Sequence, residues 1–194
     1  MKKTTRWKSI LEVGPVIYIR PPQIQDCDEF IGLNRASLQF YRGLVSPITT
    51  PRRFADYVRR CEQSDFEGFF VCLAEDDRII GSINLSQILQ GVFKSAYMGY
   101  QVGWPFASRG YMSEAIQLVL RHAFNRMKLH RLEANIQPEN TPSIALVKRA
   151  GFTKEGYSRR YLKIGGRWRD HERWAILAED WRAKNRRESS ARLI

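Results

Sequence analysis

The sequence predicts an α/β (α+β) fold in which a mixed and mostly antiparallel central sheet is flanked by about four helices. Three observations predict it. Short β-rich segments divided by turn residues fill residues 68–103. The apolar period then changes to spacings of three and four, which is typical of an amphipathic helix. Farther on, Gly165-Gly166 separates two β-rich segments and predicts a hairpin. The 194 residues suit one domain with a full core.

The first third of the chain predicts one strand and two helices. Residues 16–20 form a strand that Pro21 ends, because proline has no N–H for a ladder. Asp26 offers an N-cap for a helix that runs to about Ser37. Pro51 suits the first turn of a second helix, which should end near residue 61.

Three strands follow, at residues 68–74, 79–89 and 95–103. Turn residues divide them, so they predict an antiparallel meander. The apolar alternation between Ile83 and Ile88 is imperfect, and we expect a bulge there.

Helical and extended patterns then alternate. One apolar stripe predicts a helix over about residues 109–127, and residues 132–136 alternate as a strand. Thr141-Pro142 begins another helix, and Gly151 suits the positive φ that follows a helix.

The glycine hairpin should join residues 157–164 to residues 168–177. From Ala183 the chain is polar and charged, and we expect a frayed tail.

The charge of the chain is its unusual bulk property. Its net charge of +12 and pI near 10 create a field that attracts polyanions. Two interpretations stay open: a well-solvated basic surface, or docking to RNA, a ribosome or another acidic surface. Much of the excess lies toward the two ends of the chain, at Lys2, Lys3, Arg6, Lys8, Arg159, Arg160, Lys163, Arg167, Arg169, Arg173, Arg182, Lys184, Arg186 and Arg187.

No targeting or metal-binding pattern stands out. The N-terminus is basic, but Glu12 and Gly14 interrupt any apolar stretch of a signal peptide, and no apolar run is long enough to cross a bilayer. The three cysteines and three histidines are scattered, without metal-ligand spacing. We therefore expect a cytoplasmic protein with reduced thiols, no metal and no membrane partner.

The strongest candidate site is a strand, a loop and a helix start over residues 98–115. A helix N-terminus presents unpaired N–H groups and a positive dipole end, which suits a phosphate. Gly110 would let a pyrophosphate approach the backbone, and Arg109 would add a charge. The alternative is an ordinary helix start that Ser108 caps.

This stretch resembles the acetyl-coenzyme A-binding motif of the GNAT acetyltransferases, a Gln/Arg-x-x-Gly-x-Gly/Ala loop. Gly110 matches, whereas Ala107 stands where Gln or Arg is usual and Met112 where Gly or Ala is usual. The resemblance implies acetyl-CoA as cosubstrate and a sheet that splays at its site. It implies cofactor contacts from Gln101, Val102, Gly103, Ser108, Arg109, Gly110, Tyr111 and Met112.

A second segment agrees with the first. Residues 138–143, followed by Ala150-Gly151-Phe152, resemble the Asn-x-x-Ser … Gly-Phe signature of the Rim-type branch of that family. The resemblance implies that Asn140 contacts the pantetheine arm and that Ser143 is the acid for the departing thiolate. The alternative is that Asn140 merely caps a helix whose first turn contains Ser143.

The resemblance covers about residues 13–182, the predicted acetyltransferase domain. Residues 1–12 would then be a basic extension and residues 183–194 a charged tail. Residues 155–157 and 165–171 are similar to the C-terminal hairpin of the ribosomal-protein-alanine N-acetyltransferase type.

The resemblance also implies direct attack of an amine on the thioester. A backbone N–H among residues 101–103 would polarise the thioester carbonyl. No covalent enzyme intermediate is needed, so Cys72 need not be a nucleophile. Glu133 is the candidate base, because it lies out of phase with the apolar residues of its strand. The alternative is an exposed strand carboxylate.

The charge helps to choose the acceptor. A +12 protein repels polycations such as polyamines or aminoglycosides, and favours a partner presented on RNA. We therefore expect a protein N-terminus as acceptor, such as that of a ribosomal protein, with rRNA contact through the basic ends. The alternatives are a small-molecule amine acetyltransferase and a non-catalytic RNA- or ribosome-binding module on a GNAT scaffold.

Overall fold

One mixed sheet organises the protein in a computed structural model. The structure describes residues 10–191, with side chains as far as residue 187. Over these residues it contains eight strands and five α-helices. They are β1 (Glu12–Val13), β2 (Ile17–Arg20), α1 (Cys27–Ala36), α2 (Pro51–Arg60), β3 (Phe66–Leu73), β4 (Ile79–Leu89), β5 (Ser95–Val102), α3 (Tyr111–Asn125), β6 (Arg131–Ile136), α4 (Thr141–Ala150), β7 (Thr153–Ile164), β8 (Arg167–Leu177) and α5 (Ala178–Ala191).

The sheet splays at its middle. Its strand order is β1-β2-β3-β4-β5-β6-β8-β7, and every pair except β5–β6 is antiparallel. β5 and β6 pair only where Ser95–Tyr97 faces Arg131–Glu133. β5 continues to Val102 beside β4, and β6 continues to Ile136 beside β8. The two strands therefore separate toward their C-terminal ends, which confirms the mixed and splayed sheet.

Side-chain alternation divides the core between the two faces of the sheet. Phe69 and Val71 of β3 pack in the larger cluster, with the buried faces of α3 and α4 and with Trp181 of α5. Phe70, which lies between them, packs on the other face against α1 and α2. The two helices after β2 thus cover one half of one face, whereas α3, α4 and α5 cover the other face.

Most predicted elements are confirmed within a few residues. The pairing of β4 with β5 shifts register between Ser86 and Leu89, so the expected bulge is present. Gly151 ends α4 at φ 104°, a conformation that favours glycine. β7 and β8 form the hairpin, with Gly165 and Gly166 in its turn.

Two local predictions are wrong. Asp26 precedes α1, but its side chain does not cap it; the carboxylate forms a buried, two-pronged pair with Arg20, at 2.7 and 2.8 Å. The residues after Ala183 are helical as far as Ala191 instead of frayed. Trp181 is buried against Phe124 at a ring distance of 5.6 Å, which docks α5 on the core.

Three findings bear on the remaining predictions. The basic residues Lys2, Lys3, Arg6 and Lys8 lie outside the described residues. Within residues 10–191, no helix has the length and apolar character needed to span a bilayer. In the same part of the chain, no three His, Cys, Asp or Glu side chains come together in a way that could hold a metal ion.

Candidate active site

A cleft of about 580 Å³ opens where β5 and β6 separate. The end of β5, the first turns of α3 and α4, and the loop between α1 and α2 line it. The structure brings most of the predicted site residues to its walls: Gln101, Val102, Ser108, Arg109, Gly110, Tyr111, Met112, Asn140 and Ser143. Gly103 and Glu133 are the two predicted residues that do not line it.

The N-terminus of α3 forms one end of the cleft. Gly110 is its N-cap at φ 83°, and no side chain caps this terminus. A Cβ on Gly110 would have no atom within 4 Å, so the space before the helix is open. Ser108 is itself in the left-handed region at φ 60° and does not serve as the cap, so that alternative is wrong. An open, uncapped terminus beside the exposed Arg109 suits a phosphate group.

The carboxylate of Glu114 points away from this end of the cleft. It accepts hydrogen bonds from the backbone N–H groups of Val16 and Ile17, at 3.0 and 3.1 Å. Glu114 therefore fastens the start of β2 to α3. Its position in the first turn of α3 also suits the helix dipole.

The open edge of β5 faces the cleft. The N–H of Gly103 donates to the Ile80 carbonyl of β4 at 2.8 Å, and the Val102 carbonyl accepts from the Tyr41 hydroxyl at 2.9 Å. Backbone groups of neighbouring strand residues point to opposite sides, so the N–H of Val102 points away from β4. Gly103 is buried on the far side, where a Cβ would lie 2.3 Å from Leu33 Cδ1. Val102 is thus the residue of this segment whose N–H suits a bound carbonyl oxygen.

Tyr100 and Ser143 meet across the cleft. The Tyr100 hydroxyl lies 2.5 Å from Ser143 Oγ, and either oxygen could be the donor. Burial raises the pKa of Tyr100 to about 12, so this hydroxyl keeps its proton at neutral pH. The sequence pattern does not assign a role to Tyr100, although its place in the strand before the candidate site is a usable signal.

The carboxamide of Asn140 caps α4. Its Oδ1 accepts from the backbone N–H of Ser143 at 3.3 Å, so the capping alternative describes a real contact. Capping employs only the oxygen of the side chain, and Asn140 also lines the cleft. A contact to the pantetheine arm therefore stays a prediction that the cap does not oppose.

The loop between α1 and α2 closes one side of the cleft, which its sequence pattern did not predict. Phe40, Tyr41, Leu44 and Val45 from this loop line the cleft. Gln137 Nε2 donates to the carbonyl of Gly43 at 2.9 Å and so ties the loop to the segment after β6. Burial raises the pKa of Tyr41 to about 12.

Gln101 braces the same loop. Its Nε2 donates to Asn34 Oδ1 of α1 at 2.9 Å, and Asn34 Nδ2 donates to the Ile48 carbonyl at 2.8 Å. The amide nitrogen of the Gln101 side chain is therefore already engaged in a hydrogen bond with α1. Any cofactor contact from Gln101 would come from its backbone or from the outer surface of its side chain.

Glu133 lies outside the cleft lining, on the sheet face opposite Leu132 and Ala134. Its Oε1 accepts from Arg131 Nε at 2.9 Å, and Arg131 also pairs with Glu155. Glu133 is the Cα partner of Tyr97, the last paired residue of β5 before the strands separate. It is thus a partly buried, ion-paired carboxylate next to the splay, and its role as base stays a prediction.

The buried thiol of Cys72 is not poised to attack. Burial raises its pKa to about 11, so it is protonated at neutral pH. Cys72 packs with the aromatic cluster under α1 and α2, away from the cleft lining.

Comparison with known proteins places these features in a family. The family model described as "Acetyltransferase (GNAT) domain" matches residues 17–153. The chain is 36% identical over 176 residues to the "Probable N-acetyltransferase YjcK" of Bacillus subtilis (strain 168), which covers 86% of this chain and 97% of that relative. It is 39% identical over 107 residues, 55% of each chain, to the "[Ribosomal protein uS5]-alanine N-acetyltransferase" of Escherichia coli (strain K12). Mycobacterium smegmatis RimJ, solved in complex with CoA-disulfide, superposes with a TM-score of 0.79 at 27% identity and 88% coverage of both chains.

Proposed function

The chain belongs to the GNAT acetyltransferase family and is an N-acetyltransferase, and from that premise we propose that it acetylates the N-terminal α-amine of a protein, such as a ribosomal protein. Acetyl-CoA, which GNAT acetyltransferases use, supplies the acetyl group as a thioester. The residues present fit this cosubstrate, because an uncapped helix N-terminus and an unpaired strand edge line one cleft.

The contacts of the cleft support the following roles within the proposal. The α3 terminus and Arg109 hold the diphosphate, and Val102 N–H donates to the thioester carbonyl. Ser143, hydrogen-bonded to Tyr100, gives a proton to the departing thiolate. Glu133 takes the proton of the acceptor amine through water.

An α-amine makes modest demands on such a base. Its pKa of about 7.7–8 leaves roughly 10–20% neutral at pH 7. A lysine side chain at about 10.4 costs roughly 3.5 kcal/mol more to deprotonate. A carboxylate held by Arg131 and acting through water is therefore sufficient for an N-terminus, and less suited to lysine.

The net charge of +12 is the observation that carries the choice of acceptor. Like charge repels polyamines and aminoglycosides, whereas a protein on or near RNA is attracted. The similarity to the uS5-alanine N-acetyltransferase of Escherichia coli supports the same choice. The basic ends would then contact rRNA.

A panel of acceptors tests the proposal. Peptides that begin with Ala or Ser, a peptide blocked at its N-terminus but containing lysine, and spermidine are compared at equal concentration. We expect turnover of the free N-termini and little turnover of the other two. Good turnover of spermidine with none of the Ala- and Ser-starting peptides would instead establish the small-molecule alternative.

A further inference from the structure

The tip of the β7–β8 hairpin, residues 159–169, concentrates positive charge. It contains five cationic residues and no acidic one: Arg159, Arg160, Lys163, Arg167 and Arg169. The base of the same hairpin is balanced, since Lys154 pairs with Glu172 and Glu155 pairs with Arg131. Among the residues that the structure describes, no salt bridge involves a cation of the tip.

Asp170, the carboxylate that follows the tip in the sequence, accepts hydrogen bonds from neutral donors. Asp170 Oδ2 accepts from the Tyr157 hydroxyl at 2.6 Å, and Oδ1 accepts from the backbone N–H of Arg160 at 2.7 Å. Asp170 therefore shapes the bulge of β7. The hydrogen bonds from Tyr157 and Arg160 lower the pKa of Asp170 and the charges of Arg159 and Arg160 add to this, although no salt bridge joins Asp170 to either guanidinium group.

An exposed aromatic ring shares its face of the hairpin with Lys163, whereas Arg167 and Arg169, its neighbours in β8, project on the opposite face. The side chain of Trp168 is 60% exposed, and Lys163 is its Cα partner across the hairpin, so the two project on the same face. An exposed indole beside unpaired cations is the arrangement that binds single-stranded nucleic acid, because bases stack on the ring and phosphates contact the cations. The bases of RNA match the indole and its phosphates match the cations, whereas an acidic polypeptide such as poly-glutamate matches only the cations.

We propose that the hairpin tip binds single-stranded RNA, with Trp168 stacked on a base, Lys163 on an adjoining phosphate and the other cations of the tip attracting the strand. This inference rests on the proposed function only in the role that it gives to the RNA, which would bring a ribosomal protein to the enzyme as its acceptor. Binding itself requires no catalysis.

The tip is suitably placed for that purpose. Tyr161 of the tip raises the pKa of Tyr97 of β5 and therefore lies near it, and the Tyr161 ring lies 6.0 Å from the ring of His171. Tyr97 is the partner of Glu133, so the tip folds over the sheet face that carries the predicted base. RNA held there raises the local concentration of an attached acceptor.

Fluorescence anisotropy with a labelled, unstructured RNA oligonucleotide tests the proposal. The triple variant Arg159→Gln, Lys163→Gln, Arg167→Gln should bind weakly, with a slope of log K against log salt that is shallower by about 2. Trp168→Ala should lower affinity by about 5- to 150-fold while leaving that slope unchanged. Melting curves check that the exposed substitutions leave the fold intact.

A matched control removes three exposed cations from other surfaces, by Arg52→Gln, Lys94→Gln and Lys128→Gln. This variant should keep most of the RNA affinity. Any one of four results would overturn the proposal. These are equal losses of RNA affinity in the two triple variants, wild-type affinity in Trp168→Ala, tighter binding of duplex RNA than of single-stranded RNA, and equal competition by poly-glutamate. Turnover of a free N-terminal peptide, measured on the same variants, should be unchanged; if no peptide is turned over, the proposed function fails while the binding result still stands.

Discussion

Tyr100 and Ser143 reach one another from different elements, β5 and the first turn of α4. Their hydrogen bond places two proton-bearing oxygens at one point in the wall of the cleft. Asn140 sets the position of Ser143 by capping the helix, so three side chains depend on one local geometry.

If this pair protonates the departing thiolate, Ser143→Ala should lower kcat by about 10²-fold. The KM for acetyl-CoA should change little, since neither hydroxyl is needed for the diphosphate. Steady-state kinetics with a peptide acceptor measure both constants. Tyr100→Phe should give a smaller loss, because Ser143 would keep its own proton. An unchanged kcat in Ser143→Ala would remove Ser143 from the reaction.

The pH dependence of the same pair follows from burial. The pKa of Tyr100 is raised to about 12, so the hydroxyl is protonated below that pH and loses its proton only as the pH rises through it. Tyr100 should therefore cause no loss of kcat between pH 8 and pH 10. Any alkaline loss of kcat that the wild-type enzyme shows in this range should persist in Tyr100→Phe. A pH–rate profile of both proteins checks this.

Glu133 and Glu155 offer a matched pair, because both carboxylates contact Arg131. Only Glu133 is paired with the strand residue where the sheet splays. If Glu133 accepts the proton, Glu133→Gln should lower kcat by about 10²-fold or more at pH 7. Glu155→Gln should lower kcat by much less. Equal effects in the two variants would mean that the carboxylates only position Arg131.

At the scale of elements, the start of α3 combines a left-handed glycine with an uncapped terminus. An alanine at Gly110 would meet no atom, but its φ of 83° would cost about 1–2 kcal/mol. The added Cβ would stand in the space before the helix, where a phosphate would bind.

Gly110→Ala should therefore raise the Kd for coenzyme A by about tenfold or more, which corresponds to about 1.4 kcal/mol. Gly151→Ala is the control, because it has the same type of strain at φ 104° but ends α4. It should lower stability without changing the Kd measured by calorimetry. Normal coenzyme A binding by Gly110→Ala would place the diphosphate elsewhere.

At the scale of the whole molecule, the cleft joins elements from both halves of the chain. The loop after α1, the end of β5 and the starts of α3 and α4 all line it. A ligand that contacts all of them stabilises the folded state against unfolding of the whole domain.

Acetyl-CoA at a hundred times its Kd should stabilise the protein by about 2.7 kcal/mol. For a domain of this size, that raises the melting temperature by roughly 5–10 °C. Thermal unfolding with and without the ligand measures the shift, and Gly110→Ala should show less of it at the same concentration. Equal melting temperatures of the wild-type protein would contradict the assignment of the cleft.

Local patterns were sufficient for most of the fold. The stripe of α3, the alternation of β6, Gly151 and the Gly165-Gly166 turn each follow from forces between near neighbours in the chain. Asp26 shows where such reasoning ends. The residue type and position of Asp26 suit an N-cap. Its carboxylate instead pairs with the guanidinium group of Arg20, because a buried charge needs a partner.

The sequence by itself determined the order of the elements, the loop and glycine that begin α3, and the excess of positive charge. These are properties of local periodicity, residue type and composition. Only the tertiary structure decided that Tyr100 lies against Ser143, 43 residues away, that the α1–α2 loop closes the cleft, and that Glu133 is held by Arg131 beside the splay. Such contacts join distant parts of the chain, and they exist only after the strands have parted and the helices have packed.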